Sequence, residues 1–320
     1  MSEPLSFLRC RLAEGSVALP LAGVRGLEGI DRLQRIPRPG PLAGWLLGAE
    51  DEVPVYDLSV LLGLPPARLG SETTVVVYGR AAVARGLLVA AVSRVEAGGA
   101  ALLARPRLLD RPDLGAWAGA IAVEGELVPW LDPSPLHPDL APCGSLRDAA
   151  MPGARRPLPR PPTAPARAIV TFEAGSTFGL SLSQVVEVVD LGAPVPLPGG
   201  PAFLLGLIEW RGRAVPVVDL SAALGGLPIP PIPSIPRGAP RRALIARTLD
   251  PTDCIALAAS GEIRMRRLPL AGRLVAPPEG EAWQAPSPLL GIAELDGGTV
   301  LIPDLEQILS TGYEGFGRAA

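Results

Sequence analysis

Residues 206–225 of this chain are Gly-Leu-Ile-Glu-Trp-Arg-Gly-Arg-Ala-Val-Pro-Val-Val-Asp-Leu-Ser-Ala-Ala-Leu-Gly. The pattern predicts a strand, a tight polar turn, a second strand and a short helix. Gly212 suits the turn because glycine adopts backbone angles that other residues resist. The β-branched run that follows is typical of a buried strand. Asp219 stands where a helix N-cap belongs, and Gly225 stands where that helix would end.

A similar string occupies residues 44–63, where Val53-Pro-Val-Tyr-Asp-Leu58 aligns with Val215-Pro-Val-Val-Asp-Leu220. The spacing is far longer than a solenoid repeat and therefore indicates duplicated domains. We expect a first domain at 1–137, a Pro/Arg-rich linker at 138–166 and a second domain at 167–320. The linker is expected to be extended, and a polyproline ligand for an aromatic groove is the alternative.

Length and composition agree with two domains, since the chain has 320 residues and 48% of them are hydrophobic. A net charge of -3 gives no electrostatic case for binding nucleic acid or an anionic membrane. The three cysteines are far apart, which argues against a disulfide framework or a zinc site. No long apolar run or signal peptide is present in the sequence, so we expect a cytoplasmic protein without direct membrane insertion.

Short apolar segments alternate with glycine-containing turns throughout both halves. The pattern predicts hairpins that open each half, and closing hairpins in which Gly119 and Gly125 match Gly291 and Gly297. Many short strands and few helices indicate a mainly β fold made of small closed barrels. The proline-rich insert at 227–236 is expected to be a stiff loop.

Residues for catalysis are scarce in the sequence. His137 is the only histidine, no lysine is present, and there is no phosphate-binding loop. Helix capping explains Asp57 and Asp219 more simply than catalysis does. We therefore predict no catalytic, cofactor or metal site and favour a binding or scaffolding role, with a small β-barrel hydrolase as the enzymatic alternative.

Four segments of the second half form a recognisable pattern: Phe178-Gly-Leu-Ser-Leu182, Val185-Val-Glu-Val-Val189, Pro196-Leu-Pro198 and the string from Leu205 to Leu220. In these segments the second half resembles the CheW-like domains of bacterial chemotaxis arrays. The first half matches the same pattern more weakly and in the same order. The resemblance implies two small five-stranded β-barrels per domain that share an apolar seam. It also implies a non-catalytic adaptor that joins a CheA-type histidine kinase to the cytoplasmic tips of methyl-accepting chemoreceptors.

The resemblance further implies partner contacts at the turn Trp210-Arg211-Gly212 and around Glu187. A guanidinium suits carboxylates or carbonyls on a partner helix, while Val185 and Val188 would line an apolar groove for a helix. A solvated turn charge and an ordinary surface ion pair are the simpler interpretations of Arg211 and Glu187. Trp210 differs from the Leu-like residue usual at its position; it either anchors an interface or fills the apolar seam.

The first copy differs at these polar positions. Alignment puts Ala49 and Glu50 opposite Arg211 and Gly212, and Gly26 near the position of Glu187. The first copy is therefore expected to have lost this docking contact, and to be structural or to serve another partner. An accessory role outside chemotaxis, in motility, development or polar positioning, is the alternative function.

Overall fold

A computed structural model describes residues 6–36, 40–47, 52–79, 84–94, 101–136, 168–224, 242–248, 253–267 and 288–310. Strands joined by tight turns dominate these residues, and the helices are short. The mainly β class predicted from the sequence is confirmed. Outside the described residues lie the predicted linker 138–166, the insert 227–236, His137, Gly225, Ala49 and Glu50.

Two sheets build the first repeat. Sheet A contains β1 (Phe7–Arg11), β2 (Ser16–Pro20), β9 (Ala91–Arg94), β10 (Ala101–Leu103), β11 (Trp117–Val123) and β12 (Glu126–Leu131), in the order β10-β11-β12-β2-β1-β9. Sheet B contains β3 (Val24–Gly29), β4 (Leu33–Arg35), β5 (Leu42–Leu47), β6 (Glu52–Asp57), β7 (Thr74–Tyr78) and β8 (Arg85–Val89), in the order β3-β7-β8-β6-β5-β4. Helix α1 (Leu58–Leu61) follows β6.

Two further sheets build the second repeat. Sheet C contains β13 (Ala168–Glu173), β14 (Thr177–Ser181), β20 (Ile263–Arg267), β21 (Leu289–Leu295) and β22 (Gly298–Pro303), in the order β20-β13-β14-β22-β21. Sheet D contains β15 (Val185–Asp190), β16 (Leu204–Trp210), β17 (Arg213–Val218), β18 (Arg242–Arg247) and β19 (Cys254–Ala259), in the order β15-β18-β19-β17-β16. Helix α2 (Leu220–Ala223) follows β17, and α3 (Leu305–Ser310) follows β22.

The two repeats share one topology. Sheets A and C share five equivalent strands in an equivalent order, and so do sheets B and D. The single parallel pair is also equivalent within each of these two comparisons: β2–β12 corresponds to β14–β22, and β6–β8 corresponds to β17–β19. The predicted duplication is confirmed. Within the described residues the first repeat adds one strand to each sheet, β4 and β10, whereas the sheets of the second repeat have five strands each.

Buried apolar residues form one large cluster, here called the main core, and one inner cluster for each sheet. Strand β17 has apolar residues on both of its faces. Val215 and Val217 pack in the inner cluster of sheet D, while Val218 packs in the main core. Both faces of this strand are buried, which an uninterrupted apolar run requires. The main core contains residues of both repeats.

The predicted N-caps are present in both repeats. One carboxylate oxygen of Asp219 accepts from the backbone N–H groups of Ser221 and Ala222, at 2.9 and 3.3 Å. Asp57 caps α1 in the same way and also accepts from the backbone N–H of Ala67 at 3.0 Å. Capping therefore accounts for the aspartate that both copies of the repeated string contain.

The two repeats pack against each other through dissimilar surfaces. The Arg111 guanidinium is buried, donates twice to Asp113 at 3.0 Å, and stacks on the Phe203 ring of the second repeat at 4.9 Å. Gly199 approaches the first repeat so closely that an added Cβ would lie 1.7 Å from the carbonyl oxygen of Leu62. This close approach fixes how one repeat sits on the other.

Candidate functional site

The turn between β16 and β17 consists of Arg211 and Gly212, both with left-handed backbone angles, φ 52° and 72°. Two consecutive residues with positive φ form a type I′ turn, the two-residue hairpin connection that matches strand twist. Arg211 accepts a conformation that costs a non-glycine residue about 1 kcal/mol. The turn holds the Arg211 backbone in one orientation beside the end of sheet D.

Glu187, Trp210 and Arg211 form a cluster around one carboxylate oxygen. Oε2 of Glu187 accepts from the Arg211 guanidinium at 2.8 Å and from the Trp210 indole N–H at 3.1 Å. The guanidinium also lies over the indole ring, 4.8 Å from its centroid. Glu187 belongs to β15 and Trp210 to β16, the two terminal strands of sheet D. Sheet D therefore curls until its terminal strands face each other, as in a small barrel.

Trp210 is only 8% exposed and packs in the inner cluster of sheet D. The anchoring role and the seam-filling role considered for this residue both stay predictions. The ring packs inside the barrel of sheet D, and its N–H is occupied by Glu187. The buried Trp210 ring thus packs beneath the Arg211 guanidinium, and the Arg211 side chain is the exposed member of the pair.

Val185 and Val188 lie on the other face of β15. A bulge between Val185 and Glu187 shifts the register, so that Val185 and Val188 pair with Ala246 and Leu244, which face the main core. Glu187 pairs with Ile245, which faces the inner cluster. Val188 is 42% exposed, and Leu182 just before this strand is 43% exposed.

The six residues proposed from the sequence consequently fall on two surfaces. The first, at the hairpin, comprises Glu187, Trp210, Arg211 and Gly212. The second, here called the apolar strip, comprises Leu182, Val185 and Val188. Leu182 was not among the candidates taken from the sequence; comparison with the first repeat reveals it.

The first repeat keeps the apolar strip and has no counterpart of Glu187. The bulge of β3 lies between Val24 and Gly26, which places Gly26 at the position of Glu187 and Leu27 at that of Val188. The backbone N–H groups of Leu21 and Leu182 donate to equivalent carbonyl oxygens, those of Ser6 and Ala168. Leu21 and Leu27 are 43% and 48% exposed, much like their counterparts. Two apolar strips are therefore presented by one chain.

Cys10 and Cys254, the two cysteines among the described residues, are buried, and neither thiol has the lowered pKa of a reactive cysteine. Burial raises the pKa of the Cys10 thiol to about 12. Burial, with the nearby Asp253 carboxylate, raises that of Cys254 to about 11, although Arg213 partly offsets the shift. Nucleophilic cysteines need a lowered pKa. Within the described segments, no group of three or more His, Cys, Asp and Glu side chains is arranged to hold a metal ion.

Comparison with known proteins finds a family profile that matches both repeats, and several relatives. A family profile described as the CheW-like domain matches residues 6–140 and 168–312. The chain is 37% identical over 60 residues to the chemotaxis protein CheW of Rhizobium meliloti, a match that covers 18% of this chain and 39% of that protein. It is 33% identical over 66 residues to a probable chemotaxis protein CheW of Rhizobium etli, covering 20% of this chain and 43% of the relative.

Protein FrzA of Myxococcus xanthus is 29% identical over 134 residues, which cover 42% of this chain and 78% of FrzA. Among solved structures, the scaffolding protein TtCheW of Thermoanaerobacter tengcongensis aligns with a TM-score of 0.39 at 23% identity, covering 47% of this chain and 91% of that one. The matches to the two Rhizobium proteins span about two fifths of their length.

No helix in the described part of the chain is both long and apolar enough to cross a membrane. The family profile matches most of the sequence, in two successive segments that coincide with the two repeats of the fold. The chain belongs to the CheW-like domain family and carries two CheW-like domains in tandem.

Proposed function

We propose that this chain is a non-catalytic adaptor that couples a CheA-type histidine kinase to the cytoplasmic tips of chemoreceptors. Membership of the CheW-like family supports a scaffold in chemotaxis-type signalling. The proposed place of action is the cytoplasm, at receptor arrays. The domain boundaries 1–137 and 167–320, with the linker between them, remain part of this proposal.

The observation that carries the proposal is the division of β15 into two faces. One face presents the apolar strip, in which Leu182 and Val188 are exposed and Val185 is half-buried against the main core, and the two exposed aliphatic side chains suit an amphipathic helix. The other face leads to Arg211, whose side chain is 64% exposed although its guanidinium is ion-paired. An adaptor must hold two partners at once, and two chemically different surfaces provide for that.

We assign the apolar strip of the second repeat to a receptor helix and the Arg211 hairpin to the kinase. An aliphatic surface is covered by the apolar side of a helix, whereas a rigid guanidinium pairs with carboxylate or carbonyl oxygens. In the first repeat, Gly26 removes the carboxylate that orients an arginine. This supports a first repeat without the polar contact.

A second candidate function is an accessory scaffold outside chemotaxis, in motility, development or polar positioning. The match to FrzA, a relative not named for chemotaxis, extends over more residues than the matches to the two CheW proteins. Deleting the gene separates the two functions: loss of directed swimming supports the chemotaxis role, and a defect confined to development or positioning supports the accessory role.

Kinase autophosphorylation in reconstituted complexes tests the adaptor proposal. Receptor fragments, a CheA-type kinase and this chain are combined, and the Arg211→Ala variant replaces the wild type in parallel. We expect the wild type to change the kinase rate in a receptor-dependent way and the variant to lose most of that effect. The adaptor proposal fails when neither binding nor kinase rate responds to the wild-type chain.

A further inference from the structure

A cleft of about 540 Å³ lies between the two repeats. Its first wall comes from sheet A, with Arg9 and the start of β12 from Glu126 to Pro129, and its second wall comes from β16 and the segment that precedes it. Neither repeat alone contains this cleft. The close approach of Gly199 to Leu62 helps to hold the two walls in place.

The cleft adjoins the Arg211 hairpin. Ile208 and Glu209 line the second wall and belong to the same strand, β16, that leads into the turn. At the rise of an extended strand, Glu209 stands about 7 Å from Arg211 along the backbone. The hairpin turn and the second wall of the cleft are therefore neighbouring parts of one strand-turn segment.

The cleft has an apolar floor and an acidic rim. Leu127, Val128 and Ile208 supply aliphatic surface. Three charged side chains line it: Arg9 and Glu126, which pair at 2.8 Å, and Glu209. Glu209 is exposed, and no ion pair involves it in the part of the chain that is described. The rim thus carries one uncompensated negative charge beside an aliphatic surface.

We propose that the inter-repeat cleft extends the kinase-docking surface, and that it receives a lysine or arginine side chain of the kinase. The aliphatic stem packs on Ile208 and Leu127, and the cationic head lies between Glu209 and Glu126. The first repeat then contributes one wall of a composite site rather than a second copy of the hairpin contact. This inference rests on the proposed function, because it concerns the partner of the Arg211 hairpin.

Equilibrium binding of the full-length chain to a purified CheA-type kinase of the source organism tests the inference. Glu209→Gln and Glu126→Gln each remove one carboxylate charge from opposite walls, and Glu294→Gln removes an exposed carboxylate on β21 of the second repeat as the matched control. We expect each cleft variant to weaken binding about three- to fivefold and the control to leave it unchanged. Added salt should narrow the difference between wild type and cleft variants.

Arg211→Ala, measured in the same series, separates this inference from the proposed function. Weakening by Arg211→Ala with no effect of either cleft variant overturns the composite site and leaves the hairpin contact standing. Weakening by Glu209→Gln but not by Glu126→Gln overturns the contribution of the first repeat. Kinase binding that is insensitive to Arg211→Ala overturns the assignment of the hairpin to the kinase, and the composite site with it, whereas failure of the wild-type chain to bind the kinase at all removes the proposed function.

Discussion

Glu187 lies on one terminal strand of a curled sheet, Arg211 lies in the turn that follows the other terminal strand, and their side chains meet at 2.8 Å. The same carboxylate oxygen also accepts the indole N–H of Trp210, whose ring is buried. One interaction faces solvent and the other faces the core. Losing the buried hydrogen bond to Trp210 should therefore lower the free energy of unfolding more than losing the exposed ion pair with Arg211.

Replacing Arg211 by alanine should leave the fold nearly intact and impair binding to the kinase. Its side chain is 64% exposed, and pairs of this kind contribute about 0–1 kcal/mol to the free energy of unfolding. Removing a central arginine from an interface weakens binding about tenfold or more. Urea unfolding and kinase binding measure the two effects. Arg264→Ala on β20, which breaks the exposed ion pair between Arg264 and Glu262, is the control.

Glu187→Ala should destabilise the second repeat more than Arg211→Ala does. It removes the acceptor of the Trp210 N–H, and a buried donor left without a partner costs about 1–3 kcal/mol. Glu187→Gln, which keeps an acceptor and loses the charge, should recover most of that stability. Equal unfolding free energies for the Glu187→Ala and Arg211→Ala proteins would contradict this account.

Gly199 provides a test of the packing between repeats. Gly199 and Gly63 both have positive φ, 69° and 75°, so alanine is strained by about 1 kcal/mol at either position. Only at Gly199 does an added Cβ meet the other repeat, 1.7 Å from the Leu62 carbonyl oxygen; at Gly63 nothing lies within 4 Å. Small-angle scattering should show a larger radius of gyration for Gly199→Ala and an unchanged one for Gly63→Ala. An unchanged radius in both proteins would refute the fixed packing.

Local chemistry made much of the fold predictable from the sequence. The turn at Gly212, the caps at Asp57 and Asp219, and the duplication follow from short strings of residues, because turns, caps and strand pairs depend on near neighbours. The meeting of Glu187 with Arg211 depends on the curl of the whole sheet, and no spacing in the sequence expresses that curl.

The sequence pointed to the individual residues of the candidate site, but it did not predict how they are arranged in space. Val185 and Val188 share a face only because the bulge after Val185 adds one residue to the strand, and the same bulge sends Glu187 to the opposite face. The packing of Gly199 on Leu62 joins residues from different repeats, and no local pattern indicates it. These long-range features required the structure.

The exposed aliphatic side chains at Leu27 and Val188 test whether both apolar strips bind partners. Leu27→Asp and Val188→Asp place the same charge at equivalent positions of β3 and β15, and both sites are more than two fifths exposed, so folding should persist. If only the second repeat takes a receptor helix, Val188→Asp should abolish sedimentation with receptor fragments and Leu27→Asp should not. Equal loss from both variants would show that the first strip also binds the receptor.

Cys10 gives a prediction about stability at alkaline pH. Burial raises its pKa from 9.0 to about 12, so the folded chain holds the thiol proton more tightly than the unfolded chain does. The stability that this group contributes is complete below pH 9, and it is lost as the pH rises from about 9 to about 12. Within that window the free energy of unfolding should fall by up to about 1.4 kcal/mol per pH unit on account of Cys10.

Urea unfolding of the wild type and of Cys10→Ala between pH 7 and pH 10.5 measures this slope, with the values at pH 7 as the reference for each protein. Cys10→Ala lowers stability at pH 7 because it leaves a small cavity in the main core. Its stability should nevertheless decline less steeply above pH 9 than that of the wild type, while Cys254, with its pKa of about 11, contributes equally to both slopes. Parallel slopes for the two proteins would mean that the Cys10 thiol ionises in the folded chain as readily as in the unfolded one.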